Sequence, residues 1–492
     1  MSTHKLPTNI ARAVVAITAA GQEGEEIWQQ QAFSSDSRFT RIEGHRTLFR
    51  EVQLLIDGQL AGVVWPLPVH FTGAGIPAIW SPTVGIDAFD LRAHEIDVTP
   101  FIPVLCDGKK HDFELQIFGI KDVPLTHEHG NTHNPKRKGT LTTDLSPYWV
   151  ISGTIFIFLD KSNKGFIPTQ GDKPKISAPE PLIKMTSDWI KGDGKQVTRV
   201  REIISVSREI TIESALWARG GGKTQVQWKQ SLSLTGSVDD NFSEKVKAAK
   251  SEVSGTSSSM NPSFKHTYKY TNEQAVGVEI GFAARNLKIA KGLEWTVSGP
   301  YIYPAGVHSF SGALPADFNI GGFKQQPIQG PRLPNFRRAK VQVTQKGSAT
   351  RYQNVGIDNG NLDTEYALKG GDWGSTNDEM TLYTRHMNNQ NLRTLIDDER
   401  LLGTKLDYLF SPYMKAKIGG TSLPNAFNIT GGLDKSFDGK SNDPSNTILA
   451  SASTATGSPS FRLDDDQFTE MYLLGRGDGK PRWEIDGSPP DA

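Results

Sequence analysis

The stretch REVQLLIDGQLAGVVW, residues 50–65, decides the fold class. Apolar residues recur at every second position from Val52 to Ile56, Asp57-Gly58 supplies a two-residue turn, and the chain runs back from Leu60 to Trp65. Alternating apolar residues on both sides of Asp-Gly are the sequence pattern of a β-hairpin. We therefore predict two antiparallel strands that bury one face.

Similar patterns extend along the chain. Residues 111–120 alternate in the same way, residues 148–160 are apolar on both faces, and residues 224–236 place Val226, Trp228, Gln230, Leu232 and Leu234 on one face. Gly reaches 48 and Pro 28 while hydrophobic residues make up only 36%, which favours many short strands and turns. We predict an all-β protein with two β-sandwich or jelly-roll-like domains, long loops and very little helix.

Composition shifts divide the chain. We predict a first β-sandwich domain over residues 1–160, a Pro/Gly-rich linker over residues 161–182, and a second β-rich domain over residues 183–492. Two polar, Ser/Gly-rich stretches and the C-terminal tail are expected to be mobile or disordered, and one segment has a helical pattern. The mobile stretches are 251–263 and 434–460, and the helical one is 391–403.

Charge and cysteine content exclude several classes of function. Lys+Arg and Asp+Glu both number 54, so there is no basic excess to hold a nucleic acid. The single cysteine, Cys106, excludes an intrachain disulfide and a metal site of paired thiolates. Residues 62–80 carry no charge, but Pro66, Pro68 and Pro77 argue against a membrane span there.

Three segments of the first domain resemble the peptide N-glycosidase A family of acidic glycoamidases. They are FREVQLLIDGQLAGVVWPLPVHFTG (49–73), WSPTVGIDAFDL (80–91) and EIDVTPF (95–101). The resemblance implies hydrolysis of the amide between asparagine and the first N-acetylglucosamine of an N-glycan, which gives aspartate and a glycosylamine. It implies β-sandwich domains, no metal or other cofactor, N-glycopeptide or glycoprotein substrates, and a secreted or vacuolar location.

Family members carry a signal peptide and a further β-domain ahead of the matching region, and we expect both to be missing from this chain. The alternative to a glycoamidase is a non-catalytic carbohydrate-binding β-sandwich protein. Acidic residues that converge on the loop from Trp65 to Trp80 would favour the enzyme, and aromatic residues without them would favour the binding protein.

Amide hydrolysis needs a carboxylate to activate water and donors for the oxyanion. Glu51 is the leading base, because it points to the opposite side of the strand from Val52, where a cleft could lie; a solvated strand carboxylate is the alternative. Arg50 is a candidate clamp for the sugar or the oxyanion, with a structural ion pair as the alternative. A second acidic group consists of Asp90, Glu95 and Asp97, although Asp97 also suits a side-chain cap on the turn before Pro100.

Trp65 and Trp80 flank an uncharged Pro/Gly-rich loop and are candidate platforms for the sugar rings, with burial in the core as the alternative. Asn241 and Asn428 head N-glycosylation motifs. His127, His129 and His133 lie close together in one loop, but neither the family nor a supporting pattern around them favours a metal, so we predict no metal.

Overall fold

The structure is a computed structural model of the chain. It describes residues 1–26, 28–36, 47–68, 93–124, 137–145, 149–159, 166–167, 171–193, 196–218, 222–260, 263–278, 285–300, 338–354, 357–372, 380–391, 393–401 and 404–405.

In these ranges almost every regular element is a strand. The first strands are β1 (Ser2–Lys5), β2 (Ile10–Gly21), β3 (Glu51–Ile56), β4 (Gln59–Val64), β5 (His94–Asp97), β6 (Lys110–Pro124), β7 (Arg137–Thr142) and β8 (Trp149–Leu159). They are followed by β9 (Phe166–Ile167), β10 (Lys175–Ser177), β11 (Leu182–Lys191), β12 (Val197–Ala218), β13 (Lys223–Asn241), β14 (Val246–Met260), β15 (Phe264–Val278), β16 (Arg285–Pro300), β17 (Arg338–Asn354), β18 (Ile357–Asp372), β19 (Met380–Gln390), β20 (Arg393–Leu401) and β21 (Thr404–Lys405). Helix is confined to α1 (Ile102–Leu105) and short 3-10 turns in the described residues. The all-β prediction is confirmed.

The strands form two small sheets and one large sheet. One small sheet has the order β1-β6-β3-β4, with β7 also paired to β6, and the other has the order β5-β2-β8. The large sheet runs from β10 through β12 and then in chain order from β13 to β21, with β9 and β11 also paired to β12. The assigned pairs are all antiparallel, and from β12 to β18 each strand pairs with the next along the chain.

The predicted hairpin of β3 and β4 is confirmed. Val52 lies opposite Val64 and Ile56 opposite Gln59. Asp57 and Gly58 both have positive φ, at 50° and 75°, as a type I′ turn requires. The right-handed twist of the strands favours this turn, and Asp and Gly tolerate its backbone, so the local sequence is sufficient to specify the hairpin.

The small sheets pack on one face of the large sheet, which we call the inner face. On β13 the alternation predicted from the sequence is confirmed, because Val226, Trp228, Gln230, Leu232 and Leu234 are buried while the residues between them are half-buried or exposed. The other face is largely exposed. One hydrophobic cluster runs from the small sheets into the inner face, so that both halves of the described chain share a core.

Gln230 shows why a polar residue fits this apolar row. Its Oε1 accepts a hydrogen bond from Val63 N at 3.0 Å, and its Nε2 donates to Val63 O at 2.9 Å. β4 has β3 as its one strand partner in its sheet, so the peptide groups on its other side need acceptors and donors. The Gln230 amide supplies both and ties the small sheet to the large one.

Part of the predicted linker and one predicted mobile stretch are strands. β9 and β10 lie within residues 161–182 and pair with β12. Residues 251–260 belong to β14 instead of forming the predicted mobile loop. Their small side chains face the inner side, where Gly255 lies against the ring of Tyr268 and against Leu232. Small residues therefore have a packing role in this segment. The other stretch predicted to be mobile, 434–460, lies outside the described residues.

Two further sequence predictions differ from the structure. Residues 393–401 form β20 instead of the predicted helix, because Asn391, at φ 47°, reverses the chain and lets β20 pair with β19. β8 pairs with β2 in a three-stranded sheet, and Val150 and Leu159 are 63% and 45% exposed, so β8 is not buried on both faces as predicted.

The close packing at Gly255 gives a testable prediction. A Cβ atom at this position would lie 2.6 Å from Cζ of Tyr268 and 2.8 Å from Cδ2 of Leu232, so the backbone or the ring must move. We expect Gly255→Ala to lower the free energy of unfolding by about 2 kcal/mol, as overpacking typically does, measured by urea denaturation.

Gly277→Ala is the matched control, since its Cβ would meet nothing closer than 3.6 Å. We expect this variant to keep the stability of the parent or to exceed it. Equal loss in the two variants would show that strand glycines in general, and not the contact with Tyr268, set the effect.

Candidate active site

Glu51 lies in an enclosed ion pair between the small and large sheets. Its side chain is fully buried; Oε2 accepts from Trp65 Nε1 at 2.9 Å and Oε1 accepts from Gln53 Nε2 at 2.7 Å. Oε1 also accepts from Nη1 of Arg208, which reaches it from β12. The large sheet covers the side of β3 that Glu51 faces. The prediction of a cleft beside Glu51 is therefore wrong. Its catalytic role stays a prediction, but both carboxylate oxygens are occupied.

Arg50 is held in the same way by its own neighbours. Its Nε and Nη2 donate to the two oxygens of Glu25 at 2.6 and 2.9 Å, and Nη2 also donates to Gln31 Oε1 at 2.7 Å. Nη1 donates to the carbonyl oxygens of Thr47 and Phe49 at 3.0 and 2.7 Å. A guanidinium has five N–H donors, and these five contacts use them all. The structural ion pair, and not a substrate clamp, is the arrangement found.

Glu25 balances this buried cation. Burial alone would raise its pKa, but the hydrogen bonds and charge of Arg50, with hydrogen bonds from Gln31 and Trp149, outweigh burial and leave the pKa below its ordinary value. Trp149 Nε1 donates to Glu25 Oε2 at 2.9 Å. The pair is therefore charged at neutral pH and joins the chain before β3 to β8.

The two described members of the second acidic group lie on β5. Asp97 is buried; its Oδ1 accepts from Thr99 N at 3.0 Å and its Oδ2 accepts from Arg12 Nε at 3.2 Å. This is the turn cap that the sequence offered as the alternative role. Glu95 is also buried and lies opposite Ala16 of β2. The third member, Asp90, lies outside the described residues, so the predicted convergence of the three is untested.

Trp65 is a core residue and not an exposed platform. It is 1% exposed, its indole N–H is bound to Glu51, and its ring meets Phe49 edge-on at 5.1 Å. Such burial leaves no ring face for a sugar. Trp80 lies outside the described residues, and its proposed role is untested.

The two ends of the Pro/Gly-rich segment meet the same region of the inner face. At one end, Pro68 O accepts from Tyr270 Oη at 3.4 Å and from Lys291 Nζ at 3.2 Å. At the other end, His94 lies 5.5 Å from the ring of Tyr268 and 5.1 Å from that of Trp295. Residues 69–92 themselves lie outside the described residues. Pro68 and His94, which border the segment that carries Trp80 and Asp90, therefore both contact β15 and β16.

Four aromatic side chains form a cluster at the second of these ends. His266 stacks on Trp295 at 4.5 Å and 24° and on Tyr268 at 5.4 Å and 25°. Burial lowers the pKa of His94 to about 4 and raises the pKa of Tyr268 above its ordinary value. At neutral pH the imidazole of His94 is therefore uncharged, which lets one ring nitrogen accept a proton or hydrogen bond while the other donates.

The sequence analysis missed this cluster, although a signal was present. In the stretch FKHTYKY, residues 264–270, the apolar or aromatic residues and His266 fall at every second position. Period-two spacing places them on one face of a strand. The partners from β5 and β16 could not be identified, because register and packing over such separations are not encoded locally.

Asn241, a glycosylation candidate, is used by the fold. Its Oδ1 accepts from Ser243 Oγ at 2.8 Å and from Glu244 N at 3.1 Å, and the residue is 7% exposed. This geometry closes the turn between β13 and β14 and leaves little access to the side-chain amide. Asn428 lies outside the described residues.

The described ranges hold no group of three or more His, Cys, Asp or Glu side chains arranged to hold a metal ion. His127, His129 and His133 lie outside those ranges, so the prediction of no metal stays a prediction. In the same part of the chain, no helix has the length and apolar character needed to cross a bilayer.

These features define an all-β protein whose two small sheets pack on the inner face of a long antiparallel sheet, where Pro68 and His94 also make contacts. Residues 1–172 match the model of the family described as peptide N-acetyl-beta-D-glucosaminyl asparaginase amidase A. The resemblance to the peptide N-glycosidase A family is thereby confirmed for this region.

A curated relative gives the same result. The peptide-N4-(N-acetyl-beta-glucosaminyl)asparagine amidase A of Prunus dulcis is 27% identical to this chain over 203 residues. The alignment covers 41% of this chain and 31% of the relative, so the chain spans about a third of the length of that protein. The described strands from β13 to β21 lie beyond the region that the family model matches.

Proposed function

We propose that this chain is a glycoamidase that hydrolyses the β-aspartylglucosamine amide of N-glycopeptides and N-glycoproteins. The observation that carries the proposal is the family match over residues 1–172. That region contains Pro68 and His94, which border the Pro/Gly-rich segment and contact the inner face at Tyr270 and Tyr268. The substrates are products of the secretory pathway, which fits the secreted or vacuolar location that the family implies.

In the proposed reaction, a water oxygen attacks the amide carbon of the asparagine side chain. The bond from that carbon to nitrogen breaks, the carbon becomes the carboxyl of aspartate, and the leaving glycosylamine takes a proton. Glu51 is enclosed by Arg208, Gln53 and Trp65, so we assign activation of the water to the second acidic group, with Asp90 and Glu95 as its candidates. We do not assign this role to Asp97, because its two oxygens accept from Arg12 Nε and Thr99 N.

Isotope labelling tests the reaction type. A denatured N-glycoprotein is incubated with the full chain in water enriched in heavy oxygen, and the peptides are analysed by mass spectrometry. We expect aspartate that carries one heavy oxygen at each former glycosylation site, together with a free glycosylamine. This pattern requires cleavage of the amide. Asparagine that still carries N-acetylglucosamine would show glycosidic cleavage and would refute the proposal.

The same assay compares matched carboxylate variants. Asp90→Asn and Glu95→Gln should each be tested against Glu209→Gln, which changes an exposed carboxylate on the outer side of β12. We expect a loss of about a hundredfold or more for at least one of the first two and none for the control. If the chain binds glycopeptides but releases no glycan, the alternative of a non-catalytic carbohydrate-binding protein is the better description.

A further inference from the structure

Three buried N–H donors lie on successive strands of the inner face without hydrogen-bond acceptors. They are Nδ2 of Asn272 on β15, Nε1 of Trp295 on β16 and Nε2 of Gln345 on β17, and none finds an acceptor among the described residues. The residues are 1%, 2% and 2% exposed. An unpaired buried donor costs about 1 to 3 kcal/mol, and such groups are rare, so three in one region need an explanation.

The strand register places these donors in one strip. Asn272 is opposite Lys291, and Gln345 is opposite Leu293, so both flank the part of β16 that ends at Trp295. Trp295 and Lys291 are four residues apart along β16, which corresponds to about 13 Å. All of these residues alternate with outward-facing neighbours and share the inner face. We call the three donors and this part of β16 the donor strip.

The orientation of Asn272 is fixed by its neighbours. Its Oδ1 accepts from Nε2 of Gln274 at 3.2 Å, and Oε1 of Gln274 in turn accepts from Nε2 of Gln30, next to the small sheets. With its oxygen occupied in this way, Asn272 offers Nδ2 as a donor. On β17, Gly347 lies between Lys291 of β16 and Thr364 of β18, and it adds no side chain to the strip.

The chemistry of the strip selects an uncharged ligand that is rich in oxygen. All three unpaired groups are neutral donors, so a ligand must bring acceptors. The ammonium of Lys291 already donates to Pro68 O and is not an anion site in this arrangement. Hydroxyl oxygens and acetamido carbonyls of a saccharide are acceptors of the required kind. Pro68 directly precedes residues 69–92, so the strip lies beside the point where the described chain meets that segment.

We propose that the donor strip binds the glycan portion of the N-glycopeptide. This inference rests on the proposed function, and it assigns glycan recognition to strands β15 to β17, beyond the region that the family model matches. The strip would receive acceptor oxygens that its buried donors do not find among the described residues. Glycan binding and amide cleavage would then be contributed by different parts of the chain.

Direct binding to N,N′-diacetylchitobiose tests the inference without requiring catalysis. Gln345→Met and Trp295→Phe each remove one unpaired donor and keep most of the side-chain shape. We expect each to weaken binding by about threefold to tenfold, because each loses one hydrogen bond to the sugar. We also expect the free Gln345→Met variant to be at least as stable as the parent in thermal unfolding, because a buried unpaired donor has been removed. Weaker binding without lower stability distinguishes a ligand-binding role from a structural one.

Trp228→Phe is the matched control. Trp228 Nε1 is also buried and has no acceptor in the described residues, but it lies on β13, away from the strip. Its removal should leave chitobiose binding unchanged. Equal binding by the parent, Gln345→Met and Trp295→Phe would show that the donors are met by water only and would overturn the inference. So would the absence of chitobiose binding by the parent. Amide cleavage is measured separately, so either result leaves the proposed reaction to its own test.

Discussion

Replacing Glu51 by glutamine should lower the free energy of unfolding by about 3 kcal/mol, because it leaves the buried guanidinium of Arg208 without a counter-charge. The side-chain amide can still accept from Trp65, so the loss arises mainly from the ion pair between β3 and β12. Urea denaturation at neutral pH measures this change. The prediction differs from the expectation for an exposed general base, whose substitution lowers turnover and leaves stability intact.

A double-mutant cycle with Arg208→Met identifies the cause. If the ion pair carries the effect, the double variant should lose less stability than the sum of the two single variants, since it buries no unpaired charge. Simple additivity would show that the two residues do not depend on each other. A stable Glu51→Gln variant with much reduced turnover would contradict our interpretation and restore Glu51 as the catalytic base.

Local sequence was sufficient where neighbouring residues determine the structure. The Asp57-Gly58 hairpin and the alternation of β13 follow from turn chemistry and from the two-residue period of a strand. The turn cap at Asp97 is equally local, because its acceptor oxygen and the backbone N–H of Thr99 are two residues apart. These features can be predicted without knowing which elements pack against them.

The candidate site depended on information that the local sequence does not contain. Glu51 and Trp65 have the alternation of residues that face an opening, but β12 covers that side of the hairpin and its Arg208 pairs with Glu51. The Ser/Gly-rich residues 251–260 have the composition of a loop, but small side chains are what the packing under Tyr268 requires. The environment of Glu51 is decided by a strand more than a hundred residues away along the chain. The environment of residues 251–260 is decided by the ring of Tyr268 on the neighbouring strand.

The family resemblance added what neither kind of reasoning supplied. It directed attention to the segment between β4 and β5, and the structure shows where that segment begins and ends. Its Pro68 and its C-terminal neighbour His94 lie against strands of the second half of the chain. The aromatic cluster therefore combines residues from both halves of the described chain, which are far apart in the sequence.

Acidification should destabilise the protein through His94. Burial lowers its pKa to about 4, below the unfolded value of about 6.5. Between these values the unfolded chain binds a proton that the folded protein rejects, so the free energy of unfolding falls as the pH falls. His94 contributes its full stabilisation above about pH 6.5, and at most about 3 kcal/mol is lost by about pH 4. We expect His94→Gln to show a smaller decline over this range in urea unfolding.

His111 provides a comparison of opposite sign. Burial would lower its pKa, but hydrogen bonds to Asp57 at 2.7 Å and Asp107 at 3.0 Å, with their charges, outweigh burial and raise the pKa. Its stabilisation is therefore complete below the unfolded value of about 6.5 and is lost as the pH rises through the folded pKa. His111→Gln should thus steepen the loss of stability on acidification, whereas His94→Gln should reduce it. Parallel shifts in the two variants would show that general acid unfolding, and not the burial of His94 among Tyr268, His266 and Trp295, sets the response.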